Sequence, residues 1–147
     1  MQAGLIKTVG KRMYRITQEI DFCYGHRLLK HAGKCRHLHG HNGRAVVVLQ
    51  GPDLDQQGML LDFSEIKQRL RGWIDDHLDH RMLLFEDDPI VPILQQHGEA
   101  LFLMDSHPTA ENLARLLFEQ ARVLELPVVE VTLWETCHCS ATYSPVA

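Results

Sequence analysis

The sequence lacks an excess of basic residues: 15 Lys and Arg stand against 19 Asp and Glu, for a formal net charge of -4. A chain so balanced has no basic stripe to neutralise a phosphate backbone, which argues against a nucleic-acid partner while leaving room for a small anionic ligand held by a local cluster. It lacks any run of about 18 apolar residues, so no membrane partner is expected. Positions 1–12 also hold no apolar stretch of signal-peptide length, and a cytoplasmic location is the expectation. Repeats, low-complexity tracts and linkers are missing, and 147 residues are most simply one domain, 1–147, with its core at about 13–143. Cysteine is sparse, at Cys23, Cys35, Cys137 and Cys139. In a reducing compartment such thiols serve metal binding or catalysis better than disulfides.

Histidine, by contrast, is plentiful, with ten residues. The stretch Cys35-Arg36-His37-Leu38-His39-Gly40-His41-Asn42 places three imidazoles on alternate residues, with a thiol four residues before the middle one. Successive side chains of a strand point to opposite faces, so His39 and His41 project the same way and can reach one ion. Imidazole suits zinc, and three protein ligands leave a position for water or substrate. Two histidines from one strand need a third ligand. His37 qualifies if the strand extends that far, and so does His26, in Phe22-Cys23-Tyr24-Gly25-His26-Arg27-Leu28.

Periodicity predicts a strand over 13–24, a loop over 25–34, a second strand over 42–51 with its turn at 52–58, and a short extended piece over 59–61. Asp62 with Glu65 three residues on begins an amphipathic helix, with Ile66, Leu70, Trp73, Ile74, His77 and Leu78 on one face, ending near Asp79. Positions 81–98, with Asp87-Asp88-Pro89 and Pro92, read as loop with at most one helical turn. A second helix starts at Pro108 or Thr109 and runs to about Leu124, with Leu113, Leu116, Leu117, Ala121 and Leu124 inward. Positions 128–143 return as a strand. The order predicts an α+β domain: an antiparallel sheet with two helices on one face, whose open edges favour self-association.

Three further groups carry chemistry. In Leu78-Asp79-His80, His80 is a candidate acid or base whose tautomer Asp79 would fix, although adjacent side chains often diverge. Glu135, between Trp134 and Thr136 in the last strand, is a candidate anchor for a ligand with adjacent N–H donors, since a carboxylate among apolar strand residues is costly unless paired or exposed. Thr109 and Glu111, in Pro108-Thr109-Ala110-Glu111-Asn112, suit a helix start and could also line a ligand pocket. Cys137-His138-Cys139 puts both thiols on one face of a strand, where a second metal could bind.

Phe22-x-x-x-His26-Arg27-Leu28, Cys35-x-x-x-His39-Gly40-His41-Asn42, Leu78-Asp79-His80, Pro108-Thr109-Ala110-Glu111-Asn112 and Glu135-Thr136-Cys137 occur together and in this order. The pattern, covering about 14–143, resembles the 6-pyruvoyl-tetrahydropterin synthase family, and within it the bacterial 6-carboxytetrahydropterin synthase branch of queuosine biosynthesis. That resemblance implies zinc on His26, His39 and His41, Cys35 as the catalytic thiol, His80 and Asp79 completing its proton relay, and Glu135 as the pterin anchor. It implies the tunnelling fold, here with a four-stranded antiparallel sheet, assembling as a homo-oligomeric barrel, commonly a hexamer of two stacked trimers with sites between subunits. The implied substrate is 7,8-dihydroneopterin triphosphate, with Lys67 and Arg27 helping to hold the phosphates. The implied products are 6-carboxy-5,6,7,8-tetrahydropterin, acetaldehyde and triphosphate. A pyruvoyl-type synthase that stops after triphosphate elimination, and a non-catalytic metal-binding protein, are the competing expectations. The chain departs from the family in having Cys23-Tyr24-Gly25 where small residues often precede the first histidine, and in its Cys137-x-Cys139.

Overall fold

The computed structural model describes residues 10–146. Two long strands form its spine. β1 (Tyr14–His26) and β2 (His39–Gly51) pair antiparallel over their full lengths, from Tyr14 opposite Gly51 to His26 opposite His39. Alternation sends Ile20, Phe22, Tyr24 and His26 of β1 to the buried face, and Ala45, Val47 and Leu49 of β2 join them. The same alternation turns Cys23 and Gly25 to the opposite face, with Asn42 and Gly40 across from them. Between the strands, a single 3-10 turn (Lys34–Arg36) carries Cys35.

The sheet has six strands and is mixed, which corrects the expected four-stranded antiparallel sheet. From edge to edge its order is β4 (Leu101–Met104), β3 (Arg81–Phe85), β1, β2, β5 (Val128–Thr136) and β6 (Cys139–Tyr143). β3 runs parallel to β1, and β4 runs parallel to β3. Both fell in or beside a segment expected to be loop. Leu83 and Leu84 are adjacent and both fully buried, so β3 shows the continuous apolar run of a parallel strand and no period of two. Positions 128–143 are likewise two strands, β5 (Val128–Thr136) and β6 (Cys139–Tyr143), which pair with each other across a turn at Cys137 and His138. Positions 59–61, expected to be extended, are irregular.

The two expected helices lie on one face of the sheet. The first is a continuous helical stretch over 63–77 in three pieces: α1 (Phe63–Ile66), a π turn (Lys67–Arg71) and α2 (Gly72–His77). Asp62 caps it, accepting a hydrogen bond from Ser64 N at 2.8 Å. Ile66, Leu70, Ile74 and Leu78 are its buried stripe. After β3 comes the short α3 (Val91–Gln96). The second long helix, α4 (Ala110–Val123), starts where Thr109 Oγ1 accepts from Asn112 N at 3.3 Å. Its Leu113, Ala114, Leu117, Phe118 and Ala121 are buried and join the core with the strands' inward residues. Each such Leu contributes about 1.5–3 kcal/mol by burial.

Candidate active site

The last pair of the β1–β2 ladder is also the first pair of the site. His26 is 2 % exposed. Its Nδ1 lies 2.7 Å from the Pro108 carbonyl, just before α4, and His39 Nδ1 lies 2.7 Å from the His37 carbonyl. A carbonyl only accepts, so each Nδ1 carries the proton and each Nε2 keeps its lone pair. Those two Nε2 atoms stand 3.1 Å apart. Two neutral acceptors at that distance share no proton and repel, an arrangement that a cation between them relieves. His41, on the same face of β2, completes a set in which one ligand atom from each of His26, His39 and His41 lies within 4.8 Å of the others. The donor set therefore fits a metal ion, with its tautomers fixed by neighbouring carbonyls. His37, the alternative third ligand, contributes its backbone oxygen and has an exposed ring.

Tyr24 extends the set toward a carboxylate. Its ring meets His26 edge-on at 5.3 Å and His41 at 5.8 Å, and its hydroxyl donates to Glu135 Oε1 at 3.0 Å. Glu135 Oε1 is also 3.7 Å from His26 Nε2. Burial, reinforced by the Glu135 charge and hydrogen bond, pushes the Tyr24 hydroxyl well above its ordinary pKa, so it remains a donor. Burial lowers the pKa of His26 despite the opposing pull of Pro108 and Glu135, which keeps the ring neutral as a ligand must be. Glu135, Thr109 and Glu111 line one cavity of about 350 Å³ together with Leu28, Ala110 and Cys139. The structure thus brings together three of the residues expected at a substrate.

Asp79 and His80 do meet. Asp79 Oδ2 accepts from His80 Nδ1 at 2.8 Å and Asp79 Oδ1 accepts from Cys23 N at 2.8 Å. Burial opposes the ionised carboxylate, but those two contacts outweigh it and hold Asp79 below the usual range. His80 sits at φ 57, a left-handed conformation uncommon outside glycine, and its side chain is 79 % exposed. It borders a second cavity, of about 480 Å³, with Cys23, His39, His41 and Asn42. Cys35, half-buried in the 3-10 turn, is absent from the lining of that cavity and makes no side-chain hydrogen bond among the described residues.

Two expected phosphate contacts stand apart. Arg27 instead forks onto Asp88, with Nε donating to Oδ2 at 2.8 Å and Nη2 to Oδ1, because a fully buried carboxylate demands a partner. Lys67 is exposed on the π turn and lines neither cavity. Cys137 lies in the β5–β6 turn and Cys139 just after it, and they enter different cavities, Cys139 that of Glu135 and Cys137 one shared with Asp21, Arg44 and Trp134. The shared face expected for a second metal is lost to that turn. Tyr24 was missed as a site residue, although its place two residues before His26 on a strand carried the signal.

The fold and this site define a class: an α+β domain whose mixed sheet ends in three imidazoles placed to hold one metal ion beside a carboxylate. Residues 15–146 match the family model for 6-pyruvoyl tetrahydropterin synthase, and the chain belongs to that family. It is 33 % identical over 137 residues to a 6-carboxy-5,6,7,8-tetrahydropterin synthase of Rickettsia bellii, covering 86 % of this chain and 97 % of that one. The structure is similar to that of an uncharacterised protein from Wolinella succinogenes, at 29 % identity with a TM-score of 0.75, covering 90 % and 98 % of the two chains. The fold is also that of Caenorhabditis elegans 6-pyruvoyl tetrahydropterin synthase, at 24 % identity with a TM-score of 0.70, covering 92 % and 98 %. Among the described residues no helix is long and apolar enough to cross a membrane.

Proposed function

We propose that this chain is a zinc-dependent lyase, acting in the cytoplasm in queuosine biosynthesis. It converts 7,8-dihydroneopterin triphosphate and one water to 6-carboxy-5,6,7,8-tetrahydropterin, acetaldehyde and triphosphate, the water supplying the second carboxylate oxygen. The observation that carries the reading is the pair of Nε2 lone pairs of His26 and His39, 3.1 Å apart and joined by His41, next to the Glu135 carboxylate. Zinc held there supplies Lewis acidity, which lowers the barrier to proton loss beside the substrate's side-chain hydroxyls. Glu135 receives the adjacent N–H donors of the pterin ring in the cavity that it shares with Thr109 and Glu111. Cys35 takes or returns a proton at the side-chain carbon. His80, held by Asp79 so that Nδ1 donates and Nε2 faces outward, is the second member of the relay. Cys35 and His80 do not share a cavity within one chain, which supports a site completed by a second copy, as does the six-stranded sheet with its open outer strands β4 and β6. The assembly proposed is a homo-oligomer, a hexamer in the tunnelling arrangement. Lys67, which lines neither cavity of one chain, would meet the triphosphate only in a site completed by a second copy.

The test is incubation of zinc-loaded protein with 7,8-dihydroneopterin triphosphate and mass analysis of the products. The carboxy product with acetaldehyde is expected. A pyruvoyl product without acetaldehyde would assign the chain to the shorter reaction. Unchanged substrate with zinc bound would leave a metal-binding protein, a reading that the single histidine cluster among the described residues does not favour.

A further inference from the structure

The structure assigns Tyr24 as a positioning residue for the ligand-binding carboxylate of Glu135: its hydroxyl holds one oxygen and leaves the other to a ring N–H donor of the substrate. This deepens the proposed function and rests on it. Tyr24 faces inward on β1 between Phe22 and His26, stacked on the Phe22 ring at 5.4 Å and set against two of the three imidazoles. Its hydroxyl reaches 3.0 Å from Glu135 Oε1, on β5, two strands away. Glu135 Oε2 has no hydrogen bond among the described residues, and the side chain borders the cavity that Thr109 also lines.

Room for the ring comes from the facing strand. A Cβ at Gly43 would stand 2.8 Å from Tyr24 Cε1, so a residue with any side chain there displaces the ring. A glutamate on a strand has three χ rotations with which to choose where its carboxylate points. Tied by the phenol, it is ordered before the ligand arrives, and less ordering is charged to binding. The bond is also made before and after chemistry alike, so its worth is uniform binding of ground and transition states.

The experiment compares wild type with Tyr24→Phe, which keeps the ring and its packing and removes only the hydroxyl. The readouts are zinc per chain, equilibrium binding of 7,8-dihydroneopterin, and steady-state kinetics with its triphosphate. Zinc content should be unchanged, Kd and KM should rise roughly tenfold, and kcat should stay within about twofold. In a Glu135→Gln background the same change should add a clearly smaller loss, because the bond that it removes is then no longer charge-assisted. Gly43→Ala, which pushes the ring without touching the hydroxyl, should raise KM in the same direction. Unaltered Kd and KM in Tyr24→Phe overturn the inference, and so does an equal loss in the Glu135→Gln background. A wild-type protein that holds zinc and binds no pterin overturns the proposed function and this inference together.

Discussion

At the scale of single residues, the chain's buried charges and its proposed catalytic groups make separable demands. Arg27 and Asp88 show the first kind. Asp88 is 1 % exposed in its side chain against 19 % for Arg27, so the carboxylate is the partner that cannot turn to water. Arg27→Met should therefore destabilise by about 3 kcal/mol, and Asp88→Asn by less, as denaturant titration would measure. The pH dependence follows from the sign of the shift. The Arg27 hydrogen bonds hold Asp88 below its ordinary 3.8, so the pair's contribution is whole above that pH and is lost as pH falls through the lower folded value. The gap between wild type and Arg27→Met should accordingly close on acidification. A gap that persists undiminished at pH 2 would show that packing, not charge, is what Arg27 provides. The proposed catalytic groups divide by kinetics. Cys35→Ala and His80→Ala should retain zinc and lose turnover, while Glu135→Ala should chiefly raise KM. Normal turnover in Cys35→Ala would remove the thiol from the mechanism.

Elements decide how accurately those residues are held, and two glycines measure it. Gly40 stands between the two proposed metal ligands on β2, where an added Cβ would lie 3.0 Å from the Tyr24 carbonyl oxygen. That neighbour is backbone in a paired strand, so β1 and β2 must separate locally and His39 and His41 move with them. Gly40→Ala should weaken zinc binding by roughly tenfold or more, read by competition with a chelator. Zinc affinity equal to wild type would mean that the ladder absorbs the shift. Gly72 is the opposite case. It begins α2 with helical φ -58, and a Cβ there meets nothing within 4 Å. Gly72→Ala should raise stability by about 0.5–1 kcal/mol with zinc content and KM unchanged. A lower melting temperature would expose a contact made in the assembled protein and not within one chain.

For the whole molecule the governing fact is an open six-stranded sheet. Among the described residues both outer strands, β4 and β6, have an edge of backbone donors and acceptors with no partner strand, and such edges invite pairing with copies. Light scattering should find the active form larger than a trimer. His80→Ala and Cys35→Ala chains, mixed under conditions that exchange subunits, should regain part of their activity if sites draw on two copies. Absence of any recovery after proven exchange would place the relay within one chain.

Much of this was fixed in local sequence. Alternation alone put His39 and His41 on one face, the Asp62 and Thr109 caps started both helices where expected, and five short motifs in register pointed to the family, because each depends on spacings of a few residues that backbone geometry repeats faithfully. The tertiary structure decided the rest. It brought His26, and not His37, beside His39 and His41 by closing the β1–β2 ladder at His26 and His39, and it turned Arg27 to Asp88. It found β3 and β4 in short apolar runs that carry no period, split Cys137 from Cys139 at a turn, and carried the Tyr24 hydroxyl to a carboxylate 111 residues away. Each of these depends on a partner distant in sequence, and a contact between distant segments leaves no periodic trace in either one.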